Sequence, residues 1–449
     1  MTSIYIIVDK LKLSASITVY LLFIFSFSFA RPVQTDTLKI MSYNTNDYGR
    51  DPSSSCPALI TSNKHEYLKT ILRYENPDIL GLVKMVANPV SFSETVVIQK
   101  VLDSVCLGCY GHSVFTNFSG YKKEDMLYFK TSKLGYVGTT TIYSDDSLVA
   151  DINLHTLYYK DPNLSVNHDT TFINVILIHA KSGYNNANIR AIETAAVMSW
   201  LNTHVTSPGN YIFMGDFNTH SSSEVGFQNM INSPNINTRF YDPPFQSGSW
   251  ANNPTDFAHY LTESTRLIDF GDCAAAGGMT LRFDHILCTQ SIIQGTRSLQ
   301  YIPASFNVIG NDGNHTNLAI TDPPINTSVP PDVLNALYYM SNHLPVSIRL
   351  AVTLAPIAIA VNDLSGSKNN FSVFPNPTNS VLHIKGAYTS GTCEMLFKNN
   401  LGQTIIEEKY ETVNNQIDSQ LNVSTLPRGI YFLEIISKNE KQVFKVQLF

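Results

Sequence analysis

The sequence predicts an α/β domain with mixed β-sheets, followed by a small antiparallel β-sandwich. Apolar strand candidates alternate with helical stretches through most of the 449-residue chain, and several segments are hairpin-like. After residue 370 the helical stretches stop, and short alternating strands are divided by turn signals. A hydrophobic content of 43% with 15% charged residues is typical of packed globular proteins, and the length allows two or three domains.

The N-terminus predicts a secretory signal peptide over residues 1–30. Lys10 and Lys12 precede the apolar stretch 19–29, and small residues stand at positions 28 and 30. A membrane anchor is the alternative, but spanning a bilayer takes roughly 20 apolar residues. We therefore expect cleavage after Ala30 and no stable membrane span in the mature protein.

Residues 36–352 predict a single α/β domain. Helices are expected over 64–74, which ends before Asn76-Pro77, and over 185–204, which ends before Ser207-Pro208-Gly209. A long polar insert before residue 341 contains His315 in a Gly- and Asn-rich run, which favours a turn over a place in a cleft. The strand candidates, rich in β-branched and aromatic residues, are 38–43, 79–83, 126–130, 172–179, 211–215, 283–288 and 346–352.

Charge and cysteine content limit the classes of function. A net charge of −6 gives no electrostatic footprint for nucleic acid, although a nuclease can hold phosphate through a bound cation. Six cysteines are compatible with an oxidising compartment. Cys106 and Cys109 have the spacing of half a zinc site, but no second pair accompanies them, so a disulfide is favoured with its partners open.

Three distant apolar strands carry polar tips that predict a shared site. Asn44 follows the first strand, Asp216 and Asn218 follow the strand 211–215, and Asn342-His343 precede the last strand. Side chains at strand ends project from a rigid scaffold into a cleft. Phosphoester hydrolysis needs an activated water and stabilisation of phosphoryl charge. Asp216 is the candidate that orients or deprotonates water and Asn218 can donate to a phosphate oxygen, although both residue types also occur in ordinary turns.

These motifs resemble the endonuclease/exonuclease/phosphatase superfamily, and the resemblance covers residues 36–352. The most recognisable run is Ser341-Asn342-His343-Leu344-Pro345-Val346. The resemblance implies two packed mixed β-sheets flanked by helices, in a four-layer α-β-β-α sandwich. It also implies hydrolysis of phosphoesters with the help of a divalent metal, Mg²⁺ or Mn²⁺.

The resemblance assigns roles to individual residues. It places His343 near the scissile phosphate with Asp284 on its far nitrogen, which fits the need of an imidazole for one tautomer or its charged form. His179, at the start of His179-Ala180-Lys181-Ser182-Gly183, is implied to contact phosphate, with a structural histidine as the rival interpretation. Asn44 is implied to bind metal or phosphate. Arg190 can contact phosphate or form a surface pair with Glu193 on one helix.

Two positions depart from the family pattern. Lys84 stands where the family has a metal-binding glutamate, and Asn342 stands where it has an aspartate. Because Mg²⁺ is held by one or two carboxylates, losing both weakens metal binding. The lysine ammonium could pair with Asp216 or contact phosphate as a metal-independent point charge. Two alternatives remain open: loss of catalysis, and a nearby carboxylate such as Glu94 filling in.

The last stretch, 371–449, follows a linker over 353–370 and resembles the type IX secretion C-terminal sorting domain. The motifs are Phe374-Pro375-Asn376-Pro377, Leu401-Gly402-Gln403, the run 426–431 and Lys445. The resemblance implies contact with the type IX machinery of a Bacteroidetes-type bacterium, and export through the periplasm to the cell surface or the medium. A carbohydrate-binding sandwich is the alternative. Strands are expected over 381–384, 394–397, 404–409, 431–436 and 442–448.

The sequence therefore predicts a secreted phosphodiesterase or nuclease acting on a phosphoester substrate, with nucleic acid among the candidates. A catalytically degenerate member that binds a phosphorylated ligand or partner is the alternative, because of Lys84 and Asn342. A phosphatase or sphingomyelinase acting on lipid or inositol phosphates is a further alternative, since the fold alone does not select a substrate.

Overall fold

The computed structural model describes most of the chain from residue 35 onward. The described ranges are 35–49, 61–86, 92–120, 123–145, 148–167, 170–272, 274–354, 371–387, 392–411, 416–436 and 441–449. They fall into two compact units, one before and one after the segment 355–370. The predicted signal peptide, most of the predicted linker, Cys56 and Cys273 lie outside the described residues. Within those ranges, no helix has the length and apolarity needed to cross a membrane.

The first unit contains strands and helices in alternation. Its strands are β1 Thr35–Tyr48, β2 Ile79–Val86, β3 Tyr110–His112, β4 Lys123–Lys130, β5 Leu134–Tyr143, β6 Ile152–Tyr159, β7 Phe172–His179, β8 Tyr211–Asp216, β9 Phe240–Tyr241, β10 Asp284–Thr289, β11 Leu299–Tyr301, β12 Asn307–Val308 and β13 Val346–Thr353. Its α-helices are α1 Thr61–Glu75, α2 Asp103–Val105, α3 Leu164–Asn167, α4 Ala187–His204, α5 Val225–Ile231, α6 Gln290–Gln294 and α7 Pro331–Met340. Short segments of other helical types are Phe92–Val96, Ile98–Leu102, Tyr184–Asn186 and Ala258–Tyr260.

These strands form two mixed sheets. The first has the order β11-β13-β1-β2-β4-β3, with β12 also paired to β13, and only its β1–β2 pair is parallel among the described strands. The second has the order β5-β6-β7-β8-β10-β9, and its β7–β8 pair is parallel. The predicted class of mixed sheets is confirmed.

The two sheets pack face to face around one apolar core. Residues of both sheets share this core, among them Ile79 and Leu80 of the first sheet and Leu177 and Met214 of the second. The sheets approach so closely that a Cβ at Gly81 would lie 2.7 Å from side-chain atoms of Leu177 and Met214. Helices α1 and α7 add apolar residues to this core, and α4 and α5 bury a second cluster against the outer face of the second sheet. This is the expected α-β-β-α sandwich.

The second unit is an antiparallel β-sandwich. Its strands are β14 Phe371–Phe374, β15 Val381–Ala387, β16 Thr392–Lys398, β17 Thr404–Glu411, β18 Gln416–Asn422, β19 Gly429–Ile436 and β20 Lys441–Leu448. They form the sheets β14-β15-β18 and β17-β16-β19-β20. Asn376 explains part of the tail motif, because its Nδ2 donates to the carbonyl of Lys445 at 2.6 Å and its Oδ1 accepts from the amide of Gln447 at 3.0 Å. The predicted sandwich is confirmed.

Candidate active site

Asp216 lies at the end of β8 and follows Gly215, whose backbone conformation favours glycine. Gly215 has φ +143°, and a Cβ there would lie 1.9 Å from the carbonyl oxygen of Ile178 on β7. The carboxylate is buried, with Oδ1 accepting from the amide of Asn218 at 2.9 Å and Oδ2 accepting from Asn44 Nδ2 at 2.8 Å. Hydrogen bonds to both carboxylate oxygens therefore fix the orientation of the Asp216 side chain.

His343 is held by Asp284. Asp284 lies opposite Asp216 in the β8–β10 pairing, and its Oδ2 is 2.7 Å from His343 Nδ1. The other ring nitrogen, His343 Nε2, lies 3.8 Å from Asp216 Oδ2. Burial by itself favours the neutral ring, but the surrounding carboxylates outweigh it and raise the pKa of His343 well above its ordinary value. The structure thus brings the predicted catalytic residues Asp216, Asp284 and His343 together in one buried cluster.

Glu263 is a carboxylate of this site that the sequence reasoning missed. Its Oε1 lies 3.3 Å from His343 Nε2 and accepts from Asn342 Nδ2 at 2.5 Å. The residue belongs to an irregular segment that runs beside β10 and the start of β13. Thr262 in this segment accepts the amide of Asp284 at 3.2 Å, and Thr265 donates to the carbonyl of Ser341 at 2.8 Å. No local motif marks Glu263, because its contacts depend on how this segment crosses two strand ends.

The protonation of Asp216 is tuned to the neutral range. Burial raises the pKa of Asp216 to about 7, with His343 opposing the rise and Asp284 and Glu263 adding to it. A carboxylate with such a pKa can take up a proton near neutral pH, which is what a general base requires.

His179, the fourth predicted catalytic residue, ends β7 beside the same carboxylate. Its Nε2 is 3.8 Å from Asp216 Oδ2, while its Nδ1 is buried without a hydrogen-bond partner among the described residues. Burial, with Lys84 next, lowers the pKa of His179 well below its ordinary value. The neutral ring can donate or accept one hydrogen bond at the site, and the predicted contact of His179 with phosphate stays a prediction.

Arg190 does not fit its predicted contact with phosphate. Its guanidinium is fully buried, donating to Glu224 Oε2 through Nε at 3.0 Å and Nη2 at 2.8 Å and to the carbonyls of Lys181 and Gly183 through Nη1. Glu193 is also buried and accepts the amide of Lys181 at 3.1 Å, so the two residues are not a surface pair. Both brace the loop after β7 rather than face a substrate.

Asn218 lies in the site but is partly engaged. It has φ +51°, and its Nδ2 donates to the carbonyl of Ala180 at 3.0 Å. This bond joins the loop after β8 to the loop after β7, the loop that begins with His179. The predicted donation from Asn218 to a phosphate oxygen stays a prediction.

Lys84 lies in the site, and its ammonium donates a hydrogen bond to the side chain of Asn46. The residue has φ +58° in β2, its amide donates to Asp125 Oδ1 at 3.1 Å, and its Nζ donates to Asn46 Oδ1 at 3.1 Å. The amide of Asn46 in turn donates to Asn44 Oδ1 at 3.0 Å. A chain of contacts therefore connects Lys84 through Asn46 and Asn44 to Asp216.

Three further residues named in the sequence analysis have defined contacts. Glu94 lies on the helical segment before α2, where its Oε1 accepts the amide of Phe115 at 2.9 Å, and its filling in for the missing glutamate stays a prediction. His315 forms a turn, with Nδ1 on Asp312 at 2.8 Å. Cys106 and Cys109 form a local disulfide.

The residues present fit a divalent metal poorly at the family's position. Asp216, Asp284 and His343 offer ligand atoms that all lie within 4.8 Å of one another. His343 Nδ1, however, is committed to Asp284 at 2.7 Å, and its Nε2 lies 3.3 Å from Glu263 Oε1. At the two positions where the resemblance implies metal-binding carboxylates, this chain has the ammonium of Lys84 and the amide of Asn342, and Asn44 Oδ1 already accepts a hydrogen bond.

Comparison with family models shows to which protein family the first unit belongs. Residues 41–305 match the model of the Endonuclease/Exonuclease/phosphatase family. The chain belongs to this family. Residues 372–448 match a second model, the secretion system C-terminal sorting domain. The family usually uses a divalent metal, and the replacement of two of its metal ligands by Lys84 and Asn342 stays a prediction.

Solved structures of the family are similar in fold. An endonuclease/exonuclease/phosphatase family protein from Bacteroides thetaiotaomicron is 12% identical over 72% of this chain and 97% of that chain, with a TM-score of 0.43. The human nocturnin catalytic domain with bound sulfate is 14% identical, covering 71% and 98%, with a TM-score of 0.41. The D. rerio TDP2 complex with single-strand DNA product is 13% identical, covering 70% and 99%, with a TM-score of 0.42. No curated protein matches the sequence.

Proposed function

We propose that this protein is a secreted phosphoester hydrolase, acting as a phosphodiesterase or nuclease. The observation that carries the proposal is the placement of His343, whose Nδ1 is held by Asp284 at 2.7 Å while its Nε2 points toward Asp216 at 3.8 Å. This pairing leaves a charged donor and a proton acceptor side by side at one strand edge. In-line attack on a phosphoester uses both groups.

The proposed chemistry follows from the state of each group. Asp216, with a pKa raised to about 7 by burial, accepts a proton from the water as the water oxygen bonds to phosphorus. The bond from phosphorus to the ester oxygen breaks, and the leaving oxygen takes up a proton from solvent. Asn44 donates a hydrogen bond to one oxygen of the Asp216 carboxylate. This bond holds the carboxylate in one orientation for the attacking water. His343 carries its charge on a ring braced by Asp284, and donates from Nε2 to a phosphoryl oxygen as negative charge develops there. His179 supplies a further neutral contact.

Export is part of the proposal. The tail matches a secretion system sorting domain, which indicates delivery by type IX secretion to the cell surface or the medium. The predicted signal peptide would supply the first step into the periplasm. Extracellular nucleic acid is then an accessible substrate, and TDP2, a structural neighbour, has been crystallised with a single-strand DNA product.

A release assay on the purified mature protein tests the hydrolase. DNA, RNA, sphingomyelin, an inositol phosphate and a generic phosphodiester are each incubated with Mg²⁺, with Mn²⁺ and with chelator. Asp216→Asn serves as the matched inactive variant. Product release that requires Asp216 supports the proposal and identifies the substrate. Release from the lipid or inositol substrate alone favours the phosphatase or sphingomyelinase alternative. No release from any substrate contradicts the hydrolase.

A specific observation favours a second candidate, a degenerate member that binds a phosphorylated ligand. Glu263 lies 3.3 Å from His343 Nε2, the nitrogen that faces the substrate in the hydrolase proposal. A carboxylate there already neutralises the imidazolium, which weakens its attraction for a phosphoryl oxygen. Binding of inorganic phosphate or a mononucleotide without turnover, measured by calorimetry, would support this candidate.

A further inference from the structure

The position of Lys84 deepens the proposed function and rests on it. We propose that the ammonium of Lys84 takes the place of the family's divalent cation, so that this chain binds its phosphoester against a built-in charge without metal. The catalytic groups Asp216 and His343 keep the roles given above. What changes is the source of the positive charge next to them.

The backbone of β2 is shaped to deliver this side chain. Lys84 adopts φ +58°, a conformation that L-residues rarely adopt, and its amide is held by Asp125 Oδ1 at 3.1 Å. The regular pairing of β2 with β1 and β4 is interrupted at this point, since both registers shift between residue 82 or 83 and residue 85. Strained backbone held by neighbours is typical of functional sites, and here it turns Lys84 toward β1.

The partners of Lys84 suit an ammonium and not a divalent ion. Its Nζ donates to the amide oxygen of Asn46 at 3.1 Å. Asn46 is held in turn by Lys64, whose buried Nζ donates to the Asn46 carbonyl at 2.7 Å. Asn342, at the second position where the resemblance implies a carboxylate, is also an amide, and its Oδ1 is buried without a hydrogen-bond partner among the described residues. Neutral oxygens accept N–H donors well, whereas Mg²⁺ is normally held by at least one carboxylate.

Three carboxylates favour the charged form of Lys84. Burial lowers the pKa of Lys84 and Lys123 lowers it further, whereas Asp47, Asp216 and Glu263 oppose that fall. Asp47 is itself paired with Lys123 at 3.0 Å. A divalent cation entering this position would meet an ammonium, whereas an anionic phosphoryl group would meet two cations, Lys84 and His343. Lysine binds phosphate as such a point charge in other proteins.

Turnover in chelator and direct titration with Mn²⁺ test the proposal. The variants are Lys84→Met, which removes the charge, Lys84→Arg, which keeps it, and Lys84→Glu with and without Asn342→Asp, which restores carboxylates. Lys160→Met, a lysine outside the site that donates to the carbonyl of Thr131, is the matched control. Circular dichroism melts confirm that each variant is folded, and the probes are a generic phosphodiester, inorganic phosphate and Mn²⁺.

We expect wild-type turnover to be equal in chelator and in Mg²⁺, and the wild type to take up no Mn²⁺ in calorimetry. Lys84→Met should lose about 100-fold or more in turnover and weaken phosphate binding, while Lys84→Arg retains part of both and Lys160→Met retains all. Lys84→Glu with Asn342→Asp should gain Mn²⁺ binding. Chelator-sensitive turnover that survives in Lys84→Met, or tight Mn²⁺ uptake by the wild type, would overturn the inference and leave the hydrolase standing. A wild type inactive under every condition contradicts the hydrolase, and the Mn²⁺ titration still decides the role of Lys84.

Discussion

Glu263 and Asn342, 79 residues apart in the sequence, share a buried hydrogen bond of 2.5 Å from Asn342 Nδ2 to Glu263 Oε1. The family pattern places an aspartate at position 342. In this protein the amide at 342 therefore donates to a carboxylate supplied from another segment. An amide at 342 can donate to the Glu263 carboxylate, whereas an ionised aspartate at that position could not.

This pair predicts a pH-dependent loss of stability in Asn342→Asp. The change places two carboxylates in contact in a buried site, so the folded variant retains a proton there that the unfolded chain, with carboxyl pKa values of about 4, releases. Because the folded state then binds more protons, its stability falls as the pH rises above about 4. Thermal melts at pH 4.5 and pH 8 should show Asn342→Asp losing more than the wild type at the higher pH. The exchange Glu263→Gln with Asn342→Asp restores one donor and one acceptor and should recover most of that loss, and equal melting of single and double variants would contradict the contact.

Replacing Asp216 or His343 should abolish turnover and leave the fold intact. Asp216→Asn removes the proton acceptor and keeps a similar shape, and His343→Ala removes the donor. Each should lower kcat by about 10²–10⁴-fold. His204→Ala, a change at the exposed C-terminal end of α4, is the control that should retain activity. A folded Asp216→Asn protein with wild-type rates would place the reaction elsewhere.

Gly215→Ala should be among the most damaging single changes in the first unit. An added Cβ would lie 1.9 Å from a backbone oxygen of β7, which cannot move as a side chain can. The strained φ by itself costs of order 1–3 kcal/mol, so a total loss of about 3 kcal/mol or more is expected. Gly138→Ala, where no atom lies within 4 Å of the new Cβ, is the matched control. Urea denaturation measures both, and similar midpoints for the two variants would contradict the close approach.

Glu124→Gln should stabilise the protein at alkaline pH. Burial raises the pKa of Glu124 to about 8, whereas an unfolded glutamate titrates near 4.3. A folded carboxyl with a raised pKa contributes stability below the unfolded pKa and loses it as the pH rises through about 8. The melting temperature of Glu124→Gln should therefore exceed that of the wild type by a few degrees at pH 8.5 and match it near pH 4. A constant difference across that range would mean that Glu124 is not buried in solution.

Removal of residues 371–449 should prevent export. The tail is a separate unit with its own apolar core, and it matches the sorting domain, so its loss should leave the first unit folded. For the full-length chain, mass spectrometry of the culture medium should find the first unit, cleaved near Ala30 and near Phe371. For the truncated chain, it should find no first unit in the medium. Secretion of both forms would remove the tail from the export pathway.

The sequence was most informative where the core is apolar. Strands β7 and β8 were predicted closely because they are continuous runs of buried aliphatic and aromatic residues. Strand β5 was missed because Gly and Thr dominate it and much of it is exposed. Helix α7 was missed because it lies in an insert rich in proline and polar residues, although Val333 and Leu337 form a buried face.

The site was predictable only where a motif lies at a strand end. The pairing of the strands brings together three residues that lie at or close to strand ends, namely Asp216, Asp284 and His343. Glu263 has no such position, since it comes from irregular chain whose path is set by long-range hydrogen bonds. Arg190 shows the opposite failure, because an arginine close to a phosphate motif was assigned to substrate when its fully buried guanidinium serves the loop.

The bond from Ser341 Oγ to the carbonyl of Asn44, at 2.7 Å, joins positions 297 residues apart. Ser341 follows α7 and precedes β13, whereas Asn44 lies in β1, and the two strands are neighbours in the first sheet although they open and close the first unit. A nascent chain thus carries Asn44 early but receives His343 only after most of the first unit has been made. In the proposed hydrolase, a chain that terminates before residue 343 lacks the imidazole and is therefore inactive.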